Sequence, residues 1–252
     1  MKALGIGDFL DKAIADGKIR YAGFSYHDNP DLFREIVDAY DWSFCQIQYN
    51  LLDENYQAGK AGMQYAAEKG MGIIAMEPLR GGKLAKGVPD EVIEIYKKVN
   101  SERNPAEWAL RWVWDHPEIG TVLSGMNTLE DVVQNIKAAS DGEPDSLNPA
   151  ETEALNKVKS LYSNRIRVDC TTCSYCMPCP SGVNIPGNFG YYNDYFMFSS
   201  KGAREVTTKL FYFFIKPDQR PDACTECGQC EEKCPQGISI IDELKNVGGI
   251  FA

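Results

Sequence analysis

The sequence is poor in positive charge, in histidine and in long apolar runs. Lys and Arg number 26 against 36 Asp and Glu, a formal net charge of −10. That balance argues against a nucleic acid or an anionic membrane surface as partner. No apolar stretch approaches the roughly 20 residues of a membrane span; the run Phe-Tyr-Phe-Phe-Ile at 211–215 is far too short. The opening Met-Lys-Ala-Leu-Gly-Ile-Gly lacks the apolar region of a secretion signal. The expected location is the cytoplasm, where thiols stay reduced. No G-x-G-x-x-G dinucleotide fingerprint is present. Histidine occurs only as His27 and His116. The second precedes a proline at a helix end and reads as a surface cap. His27 lies past a strand end, where it faces a ligand or is a loop residue without a role.

Cysteine, by contrast, is plentiful, and eight of the nine fall in two runs. The first is Cys170-Thr-Thr-Cys173-Ser-Tyr-Cys176-Met-Pro-Cys179-Pro180; the second is Cys224-Thr-Glu-Cys227-Gly-Gln-Cys230-Glu-Glu-Lys-Cys234-Pro235. Three thiols at every third position let a loop wrap one corner of a metal cluster. A fourth, before proline, then ligates from outside that loop. Zinc favours two separated C-x2-C pairs, and disulfides need an oxidising compartment. The spacing resembles that of bacterial two-cluster ferredoxins, in which the fourth cysteine of each run ligates the other cluster. The first run is one residue shorter before its last cysteine. The resemblance implies two [4Fe–4S] clusters, one on Cys170, Cys173, Cys176 and Cys234, the other on Cys224, Cys227, Cys230 and Cys179. The ninth cysteine, Cys45, reads as core packing on a strand.

From the start to about residue 139 one unit repeats: a short apolar strand, a turn, an amphipathic helix. Strands are expected at 19–25, 42–49, 71–76 and through 121–124. Helices are expected at 8–16, after Asn29-Pro30, at 57–69, twice after the Leu79–Arg80–Gly81–Gly82 loop, and at 128–139. The helix after Pro30 should bury Leu32, Phe33, Ile36, Val37 and Tyr40. The third strand is apolar throughout, as a strand covered on both faces should be. Four such βα units imply a parallel sheet with helices outside it: an open α/β sheet, or half of an eight-stranded barrel. Chemistry in such folds sits at the carboxyl ends of the strands, here Ser25-Tyr26-His27, Asn50, Met76-Glu77-Pro78 and 124–127. Glu77 and Arg80 are candidates to pair with each other. Asn148-Pro149 caps one more helix, to about residue 162, read as a strut. The expected organisation is 1–145, a connecting helix at 146–165, and a cluster domain at 166–252. The rings between the two cysteine runs, at 189–198 and 211–214, read as that domain's core, with a docking face for an electron-transfer partner as the alternative.

The segments Ile19-Arg-Tyr-Ala-Gly-Phe-Ser25, Phe44-Cys-Gln-Ile-Gln-Tyr-Asn50, the stretch 72–84 and the stretch 122–135 together resemble the last four strand regions of the aldo/keto reductase family. With the cysteine-rich tail, the chain resembles the family's iron–sulfur branch. The resemblance implies a fold of class α/β: the C-terminal half of a (β/α)8 TIM barrel, in four βα units, followed by a small α-rich two-cluster ferredoxin-like domain. It implies an oxidoreductase that exchanges electrons between a barrel site and the two clusters, with NAD(P)H or a flavin as further cofactor. The family's catalytic Asp, Tyr, Lys and His fall before residue 1, so no catalytic residue is assigned. A non-catalytic electron-transfer or assembly module, or a fragment of a longer reductase, is therefore the alternative. By resemblance Ser25 and Gln46 meet the carboxamide, Met76 the nicotinamide ring and Leu79 and Gly81 the pyrophosphate. Gly125, Met126, Gln134 and Asn135 meet the adenosine end. Asp131 stands where the family carries an arginine for the 2′-phosphate, and a carboxylate there repels phosphate. Expected partners are a small-molecule substrate or a redox protein, and a polypeptide that completes the barrel.

Overall fold

In the computed structural model, which describes residues 5–251, the chain divides into two compact units. One comprises the residues up to Ala85 together with Tyr96–Leu155; the other comprises Lys86–Ile95 and the residues from Asn156 onward. The elements of the first are α1 (Ile6–Ala15), β1 (Gly23–Tyr26), α2 (Pro30–Val37), β2 (Phe44–Gln48), α3 (Gly59–Glu68) and β3 (Gly72–Met76). After α4 (Asp90–Val99), which begins in the second unit, come α5 (Pro105–Trp114), β4 (Ile119–Val122) and α6 (Leu129–Ser140). The four strands form one sheet in the order β1-β2-β3-β4, with each neighbouring pair parallel. These are the four βα units that the periodicity implied.

Local sequence explains where the helices start. Asn29 accepts the Leu32 N–H at 3.0 Å and Asn104 the Glu107 N–H at 2.9 Å. The prolines that follow have a fixed φ and no N–H, which suits the first helical position. Each such cap is worth about 1 kcal/mol. Amphipathic faces then fix which side packs. Phe33, Met63 and Trp108 are fully buried, each contributing roughly 1.5–3 kcal/mol, and Trp108 lies flat on Tyr96 at 4.7 Å. On α2 only Phe33 and Val37 are buried; Leu32, expected inside, is 36% exposed.

The two faces of the sheet differ. Cys45, Ile47, Ile73 and Ala75 are buried completely or nearly so, whereas Gln46, Ile74 and Met76 on the other face are only half-buried. The third strand is thus covered on one face, not two. Its unbroken apolar run is compatible with either arrangement, so pattern alone could not separate them. The helices beside the two outer strands also present apolar residues to solvent: Phe9 on α1 is 71% exposed and Leu129 on α6 is 79% exposed.

The second unit is helical: the end of α7 (Pro149–Ser163), then α8 (Ile185–Met197), α9 (Lys201–Phe214), α10 (Gln229–Glu232) and α11 (Ile240–Phe251). The chain passes from the first unit into the second within α7. The core of the second unit gathers Val183, Ile185, Phe189, Phe211, Val247 and Phe251. Phe211 stacks on Phe251 at 4.1 Å. The aromatic segment is therefore core at Phe189, Tyr192, Phe198 and Phe211 but not at its end, where Phe213 is 78% exposed. Among the described residues no helix is long and apolar enough to cross a membrane.

Candidate metal centre and strand-end site

The two cysteine runs fold into matching loops. Residues before and after the second cysteine of each run adopt left-handed backbone: Thr172 and Ser174 (φ 56° and 62°) in the first, Glu226 and Gly228 (φ 56° and 75°) in the second. Left-handed backbone is unusual for a β-branched residue such as Thr172, and alternating conformations of this kind turn successive amides inward, as at many iron–sulfur sites. The Glu226 amide points at Cys224 Sγ, 3.5 Å away, and the Thr172 amide likewise faces Cys170. Both thiols thus receive a main-chain N–H from the residue two positions on.

The last cysteine of the second run joins the first loop. Cys170, Cys173, Cys176 and Cys234 line one cavity, closed on its apolar side by Ile185, Phe189 and Ile240. Cys179 lies near enough to Cys230 to influence its ionisation. Ser181, just past Cys179, shares a 2.8 Å hydrogen bond with Thr225 inside the second loop. Burial, and then the neighbouring Cys170, push the Cys176 thiol up to about 11; burial also raises Cys170 and Cys230. Clustered thiolates repel one another and resist desolvation, so the donor set calls for strongly cationic, thiophilic metal. Among the described residues no three His, Cys, Asp or Glu side chains close around a single metal ion; the four thiols frame a cavity instead. That donor set fits a cluster of several iron atoms. Cys45, far from these loops in sequence, is fully buried in β2, and burial raises its thiol to about 12.

At the carboxyl ends of the strands the fully buried Asn50 is a hub. Its amide donates to Glu77 O at 3.0 Å and to Asp53 Oδ2 at 2.9 Å, while its Oδ1 accepts the Leu52 and Asp53 amides. Gln48 also donates to Asp53, and Arg80 pairs with Asp53 at 3.5 Å. Glu77 instead accepts the Gly81 N–H. Glu77 and Arg80, expected to pair with each other, thus each also have another partner near the turn. The sequence placed Asn50 at a strand end, but nothing in its spacing to Asp53 marked it as the organiser.

Of the nucleotide positions, Ser25 and Gln46 stand side by side in the β1–β2 register, and Gln46 donates to Met76 Sδ at 3.3 Å. Leu79 and Gly81 lie in the loop after β3, and Gly125 and Met126 are exposed past β4. Gln134 and Asn135 sit on α6. His27 is exposed past β1. His116 is not a surface cap. It is half-buried, with Nδ1 2.9 Å from Trp112 O and Nε2 3.1 Å from the Tyr49 hydroxyl. The carbonyl requires a proton on Nδ1, which leaves Nε2 to accept from Tyr49. Tyr26, where the family has an asparagine, is buried edge-on against Phe33 at 5.0 Å.

A model of the aldo/keto reductase family matches residues 4–151. The chain belongs to the aldo/keto reductase family. A model of the 4Fe-4S dicluster domain matches residues 169–239, so this family member carries the iron–sulfur extension that its cysteine runs implied. An uncharacterised oxidoreductase of Schizosaccharomyces pombe is 26% identical over 124 residues, 49% of this chain and 38% of the relative. Among solved structures, an apo aldo-keto reductase of Bacillus halodurans is 22% identical with a TM-score of 0.48, over 58% of this chain and 53% of that one. An aldo-keto reductase of Klebsiella pneumoniae in complex with NADPH is 23% identical with a TM-score of 0.46, over 59% and 51%. This family member thus spans about four tenths of its curated relative and about half of those solved chains.

Proposed function

We propose that this chain works as an iron–sulfur oxidoreductase of aldo/keto reductase type. Electrons are exchanged between two [4Fe–4S] clusters in the cysteine unit and a small-molecule site at the carboxyl ends of the strands. The observation that carries the reading is the gathering of Cys170, Cys173 and Cys176 with Cys234 around one cavity; the approach of Cys179 to Cys230 supports the reciprocal set on Cys224, Cys227 and Cys230. When bound, the clusters supply one-electron transfer. The chain's own residues hold the thiols in place, direct main-chain amides at Cys170 and Cys224, and keep water from the inner side of the first cavity with Ile185, Phe189 and Ile240.

The open outer strands, and the exposed apolar residues of α1 and α6 beside them, favour a further polypeptide segment that completes the barrel and brings proton-transfer groups. A redox protein is the partner on the cluster side. In the second reading, favoured by that same open sheet, the chain is an electron-transfer or assembly module and chemistry belongs to the completed assembly.

The test is anaerobic purification with iron and sulfide quantification, a visible spectrum and electron paramagnetic resonance after dithionite reduction. About eight irons and eight sulfides per chain and a reduced-cluster signal are expected. A colourless preparation containing zinc removes the reading.

A further inference from the structure

The family implies a nicotinamide dinucleotide, and several of the polar groups that would receive it are already engaged. The loop after β3 is left-handed at Glu77, Arg80, Gly81 and Gly82, with φ of 55°, 49°, 63° and 84°, and Asn50 pins its first carbonyl from below at 3.0 Å. Inside the loop the Glu77 carboxylate accepts the Gly81 N–H at 2.5 Å. That amide is a donor a pyrophosphate would take from this loop, and a side chain of the same charge already holds it. Arg80 reaches Asp53, so its charge is spent on a carboxylate of the chain itself. The adenosine end is filled in the same way. Gln134 gives its amide to Glu130 and accepts from Asn104, both at 2.9 Å. Asn135 donates to Ser124 at 2.9 Å. Glu130 and Asp131 occupy the first turn of α6, and Thr128 caps the Asp131 amide. Anions favour a helix N-terminus, and here the chain provides its own.

We propose that Glu77 is a resident anion on the β3 loop. It holds the amide that a cofactor phosphate would use, so the strand-end site rejects phosphate-bearing cofactors, nicotinamide dinucleotides and flavin mononucleotide alike. The small molecule taken there is one without a phosphate group. This rests on the strand-end site of the reading above, but its test measures binding alone and does not depend on whether the clusters are redox-active.

The iron-loaded full chain is titrated anaerobically by calorimetry with NADH, NADPH and flavin mononucleotide, beside Glu77→Gln and Glu77→Ala. Iron content and near-ultraviolet circular dichroism serve as controls for folding of each unit. The unsubstituted chain is expected to show no saturation up to about 1 mM. Both variants should gain saturable binding, tightened about tenfold to a hundredfold by loss of one like charge, and inorganic pyrophosphate should compete for it. Micromolar binding of any of the three by the unsubstituted chain overturns the proposal. So does failure of both folded variants to bind better than it.

Discussion

The sheet unit and the cysteine unit are held together by different means. In the first, large side chains such as Trp108, Phe33 and Ile47 are removed entirely from water, and parallel strands pair in one sheet from β1 to β4, with one register shift between β3 and β4. In the second, the segments that carry the ligands are barely regular: α10 has four residues, and most of the thiols lie in irregular loops. Burial accounts for the sheet unit. The cysteine unit needs, in addition, whatever its thiols bind, because metal-binding energy in a small unit is folding energy.

Cysteine substitution should separate the two most sharply. Cys234→Ser is expected to remove roughly four of about eight irons and to melt much of the cysteine unit, read as lost helical circular dichroism and rapid proteolysis after residue 165. Cys179→Ser should remove a similar share on the proposed pairing, in which each run lends its last thiol to the other. Cys45→Ser should leave the iron untouched. Its cost falls on the sheet unit instead, at about 1–3 kcal/mol for a buried hydroxyl without an assured partner, read by denaturant titration. Equal iron loss from Cys45→Ser would erase the distinction.

The sequence was most legible where a rule leaves few choices. The Asn-Pro pairs at 29–30, 104–105 and 148–149 each announced a helix start, and Asn29, Asn104 and Asn148 do cap. The thiol spacing put Cys234 with Cys170, Cys173 and Cys176, and these four line one cavity. Three features stayed hidden because one-dimensional spacing does not determine them. The apolar run of β3 does not say how many of its faces are covered. Arg80 was expected beside Glu77, and the fold also brings it to Asp53. His116, beside a proline, looked terminal, yet α5 turns it back under Trp112 and Tyr49 at 4.6 and 5.1 Å.

That histidine gives the sheet unit a pH response of a kind the cysteine unit, which has no histidine, does not share. Burial holds the His116 pKa below its ordinary value, helped by Lys60 and opposed by the Trp112 carbonyl, Glu118 and Glu54. The unfolded chain therefore binds the proton more readily than the folded one. The stability this site contributes is full above the ordinary histidine pKa of about 6.5, and it falls as pH drops below that value. Denaturant midpoints of the sheet unit should decline between about pH 7 and 5.5. In His116→Gln, which keeps a polar partner for Tyr49, that decline should flatten. An unchanged slope would place the titration elsewhere.

The smallest effect tests whether metal masks local damage. Asn29 in the sheet unit and Asn184 in the cysteine unit perform the same task, accepting the Leu32 N–H at 3.0 Å and the Gly187 N–H at 3.1 Å. Replacing either with alanine costs about 1 kcal/mol of helix. In the sheet unit the loss has nowhere to go, so Asn29→Ala should lower its melting temperature by roughly 2–4 °C. In the cysteine unit the same loss is linked to cluster binding. With iron bound, Asn184→Ala should scarcely shift the melt; with increasing chelator it should release iron sooner than the unsubstituted chain. Gly187→Ala offers an independent route to the same cap, since a Cβ there would fall 2.6 Å from Asn184 Nδ2 and push the side chain off its amide. If both variants instead melt earlier at full iron occupancy, the caps of the cysteine unit bear its stability directly and the clusters do not dominate it.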